Sequence, residues 1–384
     1  MKHENQIYLD HAAGTFLLPE VKESIGQYLG SESANPSSIH TSGRKAAAEL
    51  DKARQDIARV LDCKPSEIIF TSGGTEANNL AIRGLALGHP ERGRHIITCE
   101  TEHASVLANM AQLELEGYRI TTLNLDVHGQ VDLEELEAHF CDDTCLVSLM
   151  WVNNEIGIIH PIQKIAQLTQ SRGIPFHCDA VQAMGHLSID VNETLVDALT
   201  LSGHKIGCPA GVGVLYLRKG TTLQPLSQGG SQENNLRGGT QNLLGAISLS
   251  TAMRYHQGHL KENRNHFTHL QDHLLGRLEN IPGIQINRGE NPYSPHIISC
   301  SIHNVDGEAL FIRLDMSHIN VSNGSACTSG SQAPSHVLTS LGFERSLAKA
   351  TLRISLGIQT TLAELDHFCD ELDLIVHSIN RKPR

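Results

Sequence analysis

No apolar run in this sequence approaches the roughly 20 residues that span a bilayer, so a transmembrane protein is not expected. No lysine- or arginine-rich block occurs either. Lys and Arg total 30 against 42 Asp and Glu, a formal net charge of −12. A basic footprint for nucleic acid is therefore missing, and the acidic balance mainly favours solubility. The first residues lead into a short strand without the apolar core of a signal peptide, which predicts a cytoplasmic protein. No Cys-x-x-Cys pair exists among the nine cysteines at 63, 99, 141, 145, 178, 208, 300, 327 and 369. Their odd number and irregular spacing do not describe a secreted disulfide framework, and reduced thiols are expected. The 23 histidines include no HExxH array, so no metal site is expected.

What is present is length and alternation. A chain of 384 residues exceeds one ordinary core. A large domain over 15–255 is expected, with a smaller α+β domain over 256–384 joined by residues 1–14. Short apolar runs at 68–70, 96–98, 146–151, 175–178, 196–201 and 212–217 alternate with helical patterns such as 46–61, 80–87 and 161–171. That alternation predicts an α/β fold with a doubly wound, mainly parallel sheet. Beyond 255 the pattern predicts a helix over 256–280, a strand over 297–302, a polar loop over 323–335 and a closing helix over 362–379.

In such sheets ligands sit outside the carboxyl ends of the strands. Polar clusters follow five of the predicted strands: Gly74 and Thr75, His103, Asn154, Asp179 and Gln182, and Ser202, His204 and Lys205. Strand, glycine turn and helix start at 68–80 make an anion cradle, although an ordinary capped helix start has the same pattern. Lys205 sits among small residues at the end of an apolar run. It reads either as a lysine in a tight turn or as a desolvated Schiff-base lysine holding an aldehyde cofactor. Together the clusters describe a pyridoxal phosphate (PLP) site. Lys205 supplies the amine, Asp179 a carboxylate for the pyridine nitrogen, and His103 a flat group over the ring. Gln182 serves the ring hydroxyl, and Gly74, Thr75, Ser202 and His204 serve the phosphate. Cys327 lies in a glycine- and serine-rich stretch that cannot build a core. It is either an incidental exposed thiol or a nucleophile on a mobile loop.

The sequence resembles the cysteine desulfurases, a class V branch of the fold-type I PLP-dependent enzymes. The resemblance is carried by Tyr-Leu-Asp-His-Ala-Ala-Gly at 8–14, Phe-Thr-Ser-Gly-Gly-Thr-Glu-Ala-Asn-Asn at 70–79 and Thr-Glu-His at 101–103. It continues in Asn-Asn-Glu-Ile-Gly at 153–157, His-Cys-Asp-Ala-Val-Gln at 177–182 and Ser-Gly-His-Lys at 202–205. Ser-Asn-Gly-Ser-Ala-Cys-Thr-Ser-Gly at 322–330 and Leu-Arg-Ile-Ser-Leu-Gly at 352–357 complete it, so it spans nearly the whole chain. It implies that Lys205 holds PLP, Asp179 pairs with the pyridinium, His103 stacks on the ring, and Asn154 and Gln182 contact its oxygen side. It further implies that Thr240 reaches a phosphate across a homodimer interface, that Arg353 clamps the substrate carboxylate and that Cys327 is the nucleophile. The implied reaction converts L-cysteine to alanine and a Cys327 persulfide, passed to iron–sulfur scaffold or tRNA-thiolation proteins. No resident metal is implied, beyond a transient iron–sulfur contact at Cys327.

Two stretches depart from the family pattern. Arg237-Gly238-Gly239-Thr240 stands where Arg-Ser-Gly-Thr is usual, and the extra glycine is expected to loosen that loop. Cys208-Pro209-Ala210-Gly211 stands for Gly-Pro-Lys-Gly and removes a positive charge near the site. The 26-residue interval between Cys327 and Arg353 fits the family's long-loop group. Selenocysteine lyases and other class V enzymes are the near alternative, since they do not require Cys327. A non-catalytic iron–sulfur or metal scaffold is the alternative of another class, although the cysteines lack cluster spacing.

Overall fold

The computed structural model describes residues 6–30, 34–126, 128–323 and 334–380. The strands in chain order are β1 (Ile7–Tyr8), β2 (Ile68–Thr71), β3 (His95–Cys99), β4 (Arg119–Leu123), β5 (Thr144–Met150) and β6 (Phe176–Asp179). They continue as β7 (Ala198–Ser202), β8 (Gly213–Leu217), β9 (Ile284–Ile286), β10 (Ile297–Ile302), β11 (Ile319–Asn320) and β12 (Thr351–Ser355). Seven of them form one sheet in the order β2-β8-β7-β6-β5-β3-β4. All run the same way except β8, which is antiparallel to both its neighbours. The mainly parallel sheet is thus present, with one reversed strand inside it.

Every residue of β2, β3, β5, β6, β7 and β8 is buried, as helices on both faces require. Successive residues go to opposite cores. Phe70, Ile97, Val147, Leu199 and Val214 join the core that includes Leu50 and Ile57. Ile69, Ile96, Leu146, Ala198 and Leu215 join the one with Leu80 and Leu85. This is the period-two geometry of a strand turned into two layers of packing. The edge strand β4 was not predicted. Its Arg119-Ile-Thr-Thr-Leu sequence leaves only Leu123 buried, so it carries no continuous apolar run.

A second, antiparallel sheet, β12-β10-β9, packs with the helix Leu362–Asn380. The N-terminal strand β1 pairs with β11, and Asp10 bridges to Ser355 beside it. The helix expected from 256 begins at Leu243 and runs to Leu278, with the Asn242 side chain accepting a hydrogen bond from Gly245 N at its start. Its first half packs Ala246, Leu249, Ala252 and Met253 into the large-sheet core. Its second half packs Phe267, Leu270, Leu274 and Leu278 into the small-sheet core. One helix therefore couples the two sheets. Among the described residues, no helix is long and apolar enough to cross a membrane.

Candidate active site

Strands β2, β3, β5, β6 and β7 all end at one edge of the large sheet. The residues that follow them line a cavity of about 500 Å³. β2 supplies Ser72 to Glu76, β3 supplies His103, β5 leads to Asn154, β6 delivers Asp179 and Gln182, and β7 delivers Ser202, His204 and Lys205. Ala12 and Ala13 close the cavity from the N-terminal segment, and Arg353 reaches it from β12. Of the residues singled out in the sequence, Gly74, Thr75, His103, Asn154, Asp179, Gln182, Ser202, His204, Lys205 and Arg353 all line this cavity. Thr240 does not, and is exposed on a neighbouring loop. Cys327 lies outside the described residues.

Lys205 closes a single helical turn after β7, and its Nζ donates to the carbonyls of Ala12 at 2.6 Å and Ala13 at 2.9 Å. Gln182 Nε2 donates to the same Ala12 oxygen at 2.9 Å. Asp179, 6% exposed at the end of β6, accepts from Asn78 Nδ2 at 2.7 Å and from Val181 N at 3.0 Å. Asn78 also donates to Ser105 Oγ, which lies 2.8 Å from His103 Nδ1. The same Nδ1 accepts from Ser105 N at 3.1 Å, so a proton on the neutral ring belongs on Nε2. Burial lowers the pKa of His103, with Lys205 and His336 adding to the effect while Asp179 opposes it. His204, whose Nδ1 is 2.9 Å from Ser202 Oγ, is pushed down to about 4 by burial, then by Lys205 and His103. Both imidazoles are neutral at pH 7.

Arg353 is 2% exposed. Its NH2 donates to Asp10 Oδ1 at 2.7 Å and its NH1 to the Asn154 carbonyl at 3.0 Å. A buried guanidinium facing a cavity, held from behind by a carboxylate and a carbonyl, is a fixed receptor for a second carboxylate.

The helix Gly74–Gly88 starts at the cavity wall with no side chain capping its first turn. Its open N–H groups and dipole favour an anion there. A Cβ at Gly74 would sit 3.0 Å from Val181 Cγ2 and 3.4 Å from Ser202 Cβ, so a larger residue would crowd this wall. Together with the Lys205 amine and the buried Asp179 carboxylate, this donor set fits PLP: an amine for its aldehyde, an anion for its ring nitrogen and a cradle for its phosphate.

The expected loosening at Gly238 is not what the structure shows. A Cβ there would lie 2.9 Å from the backbone of Gly229, so the glycine is a close crossing of two chain segments. The loop is further pinned by Arg237 Nε donating to Glu76 Oε1 at 2.7 Å. It is also pinned by Glu233, 4% exposed, which takes two hydrogen bonds from Arg54 at 2.7 and 2.8 Å and one from Phe70 N. Removing the Arg54 guanidinium leaves a buried carboxylate unpaired. Arg54→Ala is expected to lower unfolding stability by about 3–5 kcal/mol in urea titration, and a loss under 1 kcal/mol would refute the pairing.

Sequence reasoning gave no role to Asn78, Ser105, Glu102, His336 or the Ala12 and Ala13 carbonyls. Asn78 lies one helical turn beyond Gly74, a spacing that could have placed it under the cradle. Backbone carbonyls carry no residue signal at all.

The fold and site define a PLP-type α/β enzyme, and comparison with known proteins agrees. The aminotransferase class-V family profile matches residues 7–368. Cysteine desulfurase IscS of Dictyoglomus turgidum is 41% identical over 98% of this chain and 96% of its own length. A NifS-like protein structure superposes with a TM-score of 0.91 at 34% identity, covering 97% of this chain and all of that one. A NifS-like protein from Rickettsia africae gives 0.88 at 32%, over 97% and 99%. The chain belongs to the class-V aminotransferase family, in its cysteine desulfurase branch.

Proposed function

We propose that this chain is a PLP-dependent L-cysteine desulfurase. The observation that carries the reading is the convergence of Lys205, Asp179 and Arg353, from two sheets, on one cavity beside an uncapped helix start. When bound, PLP supplies an electron sink for the bonds at the substrate Cα. Lys205 holds its aldehyde carbon and moves the Cα proton. Asp179 keeps the pyridine nitrogen protonated, and His103 covers the ring face. Gln182 and Asn154 contact the oxygen side. Gly74, Thr75, Ser202 and His204 hold the phosphate, joined by Thr240 of the partner subunit in a homodimer. Arg353 binds the L-cysteine carboxylate.

The Cys327 thiolate attacks the substrate sulfur. The electrons of the broken C–S bond remain with carbon, which takes a proton to become alanine, and the sulfur stays as a Cys327 persulfide. The persulfide passes to an iron–sulfur scaffold or tRNA-thiolation protein in the cytoplasm. The large and small domains divide this work: 15–255 holds the cofactor, and 256–384 with 1–14 brings Arg353 and Cys327.

The test is spectroscopic and chemical. The purified protein carries a visible absorbance band that borohydride abolishes, and it releases alanine from L-cysteine. A protein that takes up no PLP would overturn the reading. Without added reductant, Cys327→Ala is expected to form alanine at least about 100-fold more slowly. Unchanged turnover in that variant would favour a lyase that needs no thiol.

A further inference from the structure

A second cluster of reactive side chains lies at the opposite edge of the large sheet, where β3, β4 and β5 begin. Sheet register sets it up: His95 pairs with Arg119 on β4 and with Thr144 on β5. The turn before β5 is held by Cys141 N donating to Thr144 Oγ1 at 3.0 Å. This brings Cys141 Sγ to 3.2 Å from His95 Nδ1 and 2.9 Å from Asp143 Oδ1. The nitrogen, sulfur and oxygen ligand atoms of the three residues all lie within 4.8 Å of one another. Among the described residues this is the only such group of three or more.

We propose that His95, Cys141 and Asp143 form a zinc-class divalent metal site on the sheet edge remote from the cavity. Zinc bonds of about 2.3 Å to sulfur and 2.0–2.2 Å to nitrogen and oxygen give tetrahedral edges near 3.5 Å. The Cys141 distance to His95 is about 0.3 Å short of that and the distance to Asp143 about 0.6 Å short, so the exposed Asp143 carboxylate moves outward when the ion enters. Thiolate with imidazole and carboxylate selects a borderline ion such as zinc or cobalt over calcium or magnesium. His95 is fully buried, and its Nε2 lies 2.8 Å from Thr121 Oγ1. That contact orients the ring as an outer-shell partner of a metal-bound histidine does, and Nδ1, which lies 2.8 Å from Thr144 Oγ1, would exchange that hydroxyl for the ion. Cys141 is exposed, which gives the ion an entry path and an open fourth position.

Arg119 sharpens the assignment. Its NH2 lies 3.1 Å from Cys141 Sγ and 3.0 Å from Asp143 Oδ1. It places a positive charge on two of the three ligands that the metal would use. Its side chain is half-exposed, so it can swing away. Arg119 and the metal compete for the same atoms.

Cobalt(II) titration of the whole protein tests this. Wild type is expected to develop a sulfur-to-cobalt charge-transfer band, saturating at one equivalent per chain and displaced by zinc. Cys141→Ser loses that band. Asp143→Asn weakens binding at least about tenfold, and Arg119→Ala tightens it several-fold. All three positions are solvent-facing, and Cys141→Ser leaves alanine release from cysteine unchanged. No band in wild type, the same band in Cys141→Ser, or weaker binding in Arg119→Ala would each overturn the proposal.

Discussion

Lys205→Ala is expected to form alanine from L-cysteine about 10⁴-fold more slowly than wild type, with a nearly unchanged urea midpoint. The two results come from the same geometry. Lys205 stands at the end of β7 with its Nζ on the carbonyls of Ala12 and Ala13, so backbone holds the amine in place. What is lost is the amine proposed to hold the cofactor's aldehyde and carry the Cα proton, and a positioned acid–base group alone contributes roughly 10²–10⁴-fold. A small primary amine added to the variant should restore part of the rate, because the cavity gains the space the side chain vacates. Activity within tenfold of wild type would remove Lys205 from the chemistry.

The strands that carry the site were legible because parallel strands buried on both faces read as continuous apolar runs. Ile-Ile-Phe at 68–70 and Ala-Leu-Thr-Leu at 198–201 end abruptly at polar residues, so the strand ends, and with them the site, could be read directly. The family motifs then put names to positions that spacing alone left open, Arg353 above all. Other features were not legible for physical reasons. The first half of the Leu243–Leu278 helix interleaves Leu243, Leu249 and Met253 with the small buried residues Gly245, Ser248 and Ser250, which dilute its apolar stripe. The pairing of Arg353 with Asp10 spans 343 residues and exists only because the segment after β1 runs beside β12. The tight crossing at Gly238 and Gly229 looked from sequence like added flexibility, since a glycine chosen for space and one chosen for freedom are spelled alike.

The site rests on a buried acid that no motif explained. Glu102 precedes His103 and is fully buried. Its Oε1 accepts from Met150 N at 2.7 Å and lies 3.3 Å from Cys99 Sγ. Burial raises its pKa to about 8, with the nearby Asp179 charge adding to the rise, so it is a neutral acid at pH 7. A neutral Glu102 adds no second negative charge beside Asp179 at the cavity floor.

That assignment makes a pH prediction whose sign can be worked through. His160 and His177 are held near 4, and His296 near 3, each chiefly by burial, against an ordinary value of 6.5. Below 6.5 the unfolded chain takes up protons that the folded chain refuses, so stability falls with falling pH. At pH 5 each histidine costs about 2 kcal/mol relative to pH 7.5. Glu102 works the other way. Folded it keeps its proton up to about 8, while unfolded it releases it near 4.5, so its cost of about 4 kcal/mol at pH 7.5 shrinks to about 1 at pH 5. His95, His204 and His256 are held near 4 by burial as well, so wild type should lose several kcal/mol more between pH 7.5 and pH 5 than Glu102 gives back. Glu102→Gln keeps the shape and the acceptor for Met150 N but has no proton to gain or lose. It is expected to be the more stable protein at pH 7.5 and to lose about 3 kcal/mol more than wild type over the same interval. Urea titrations of both proteins at the two pH values read this directly. Equal slopes would mean that Glu102 is ionised in the folded state, and a wild type no less stable at pH 5 would mean that the buried histidines are not held neutral.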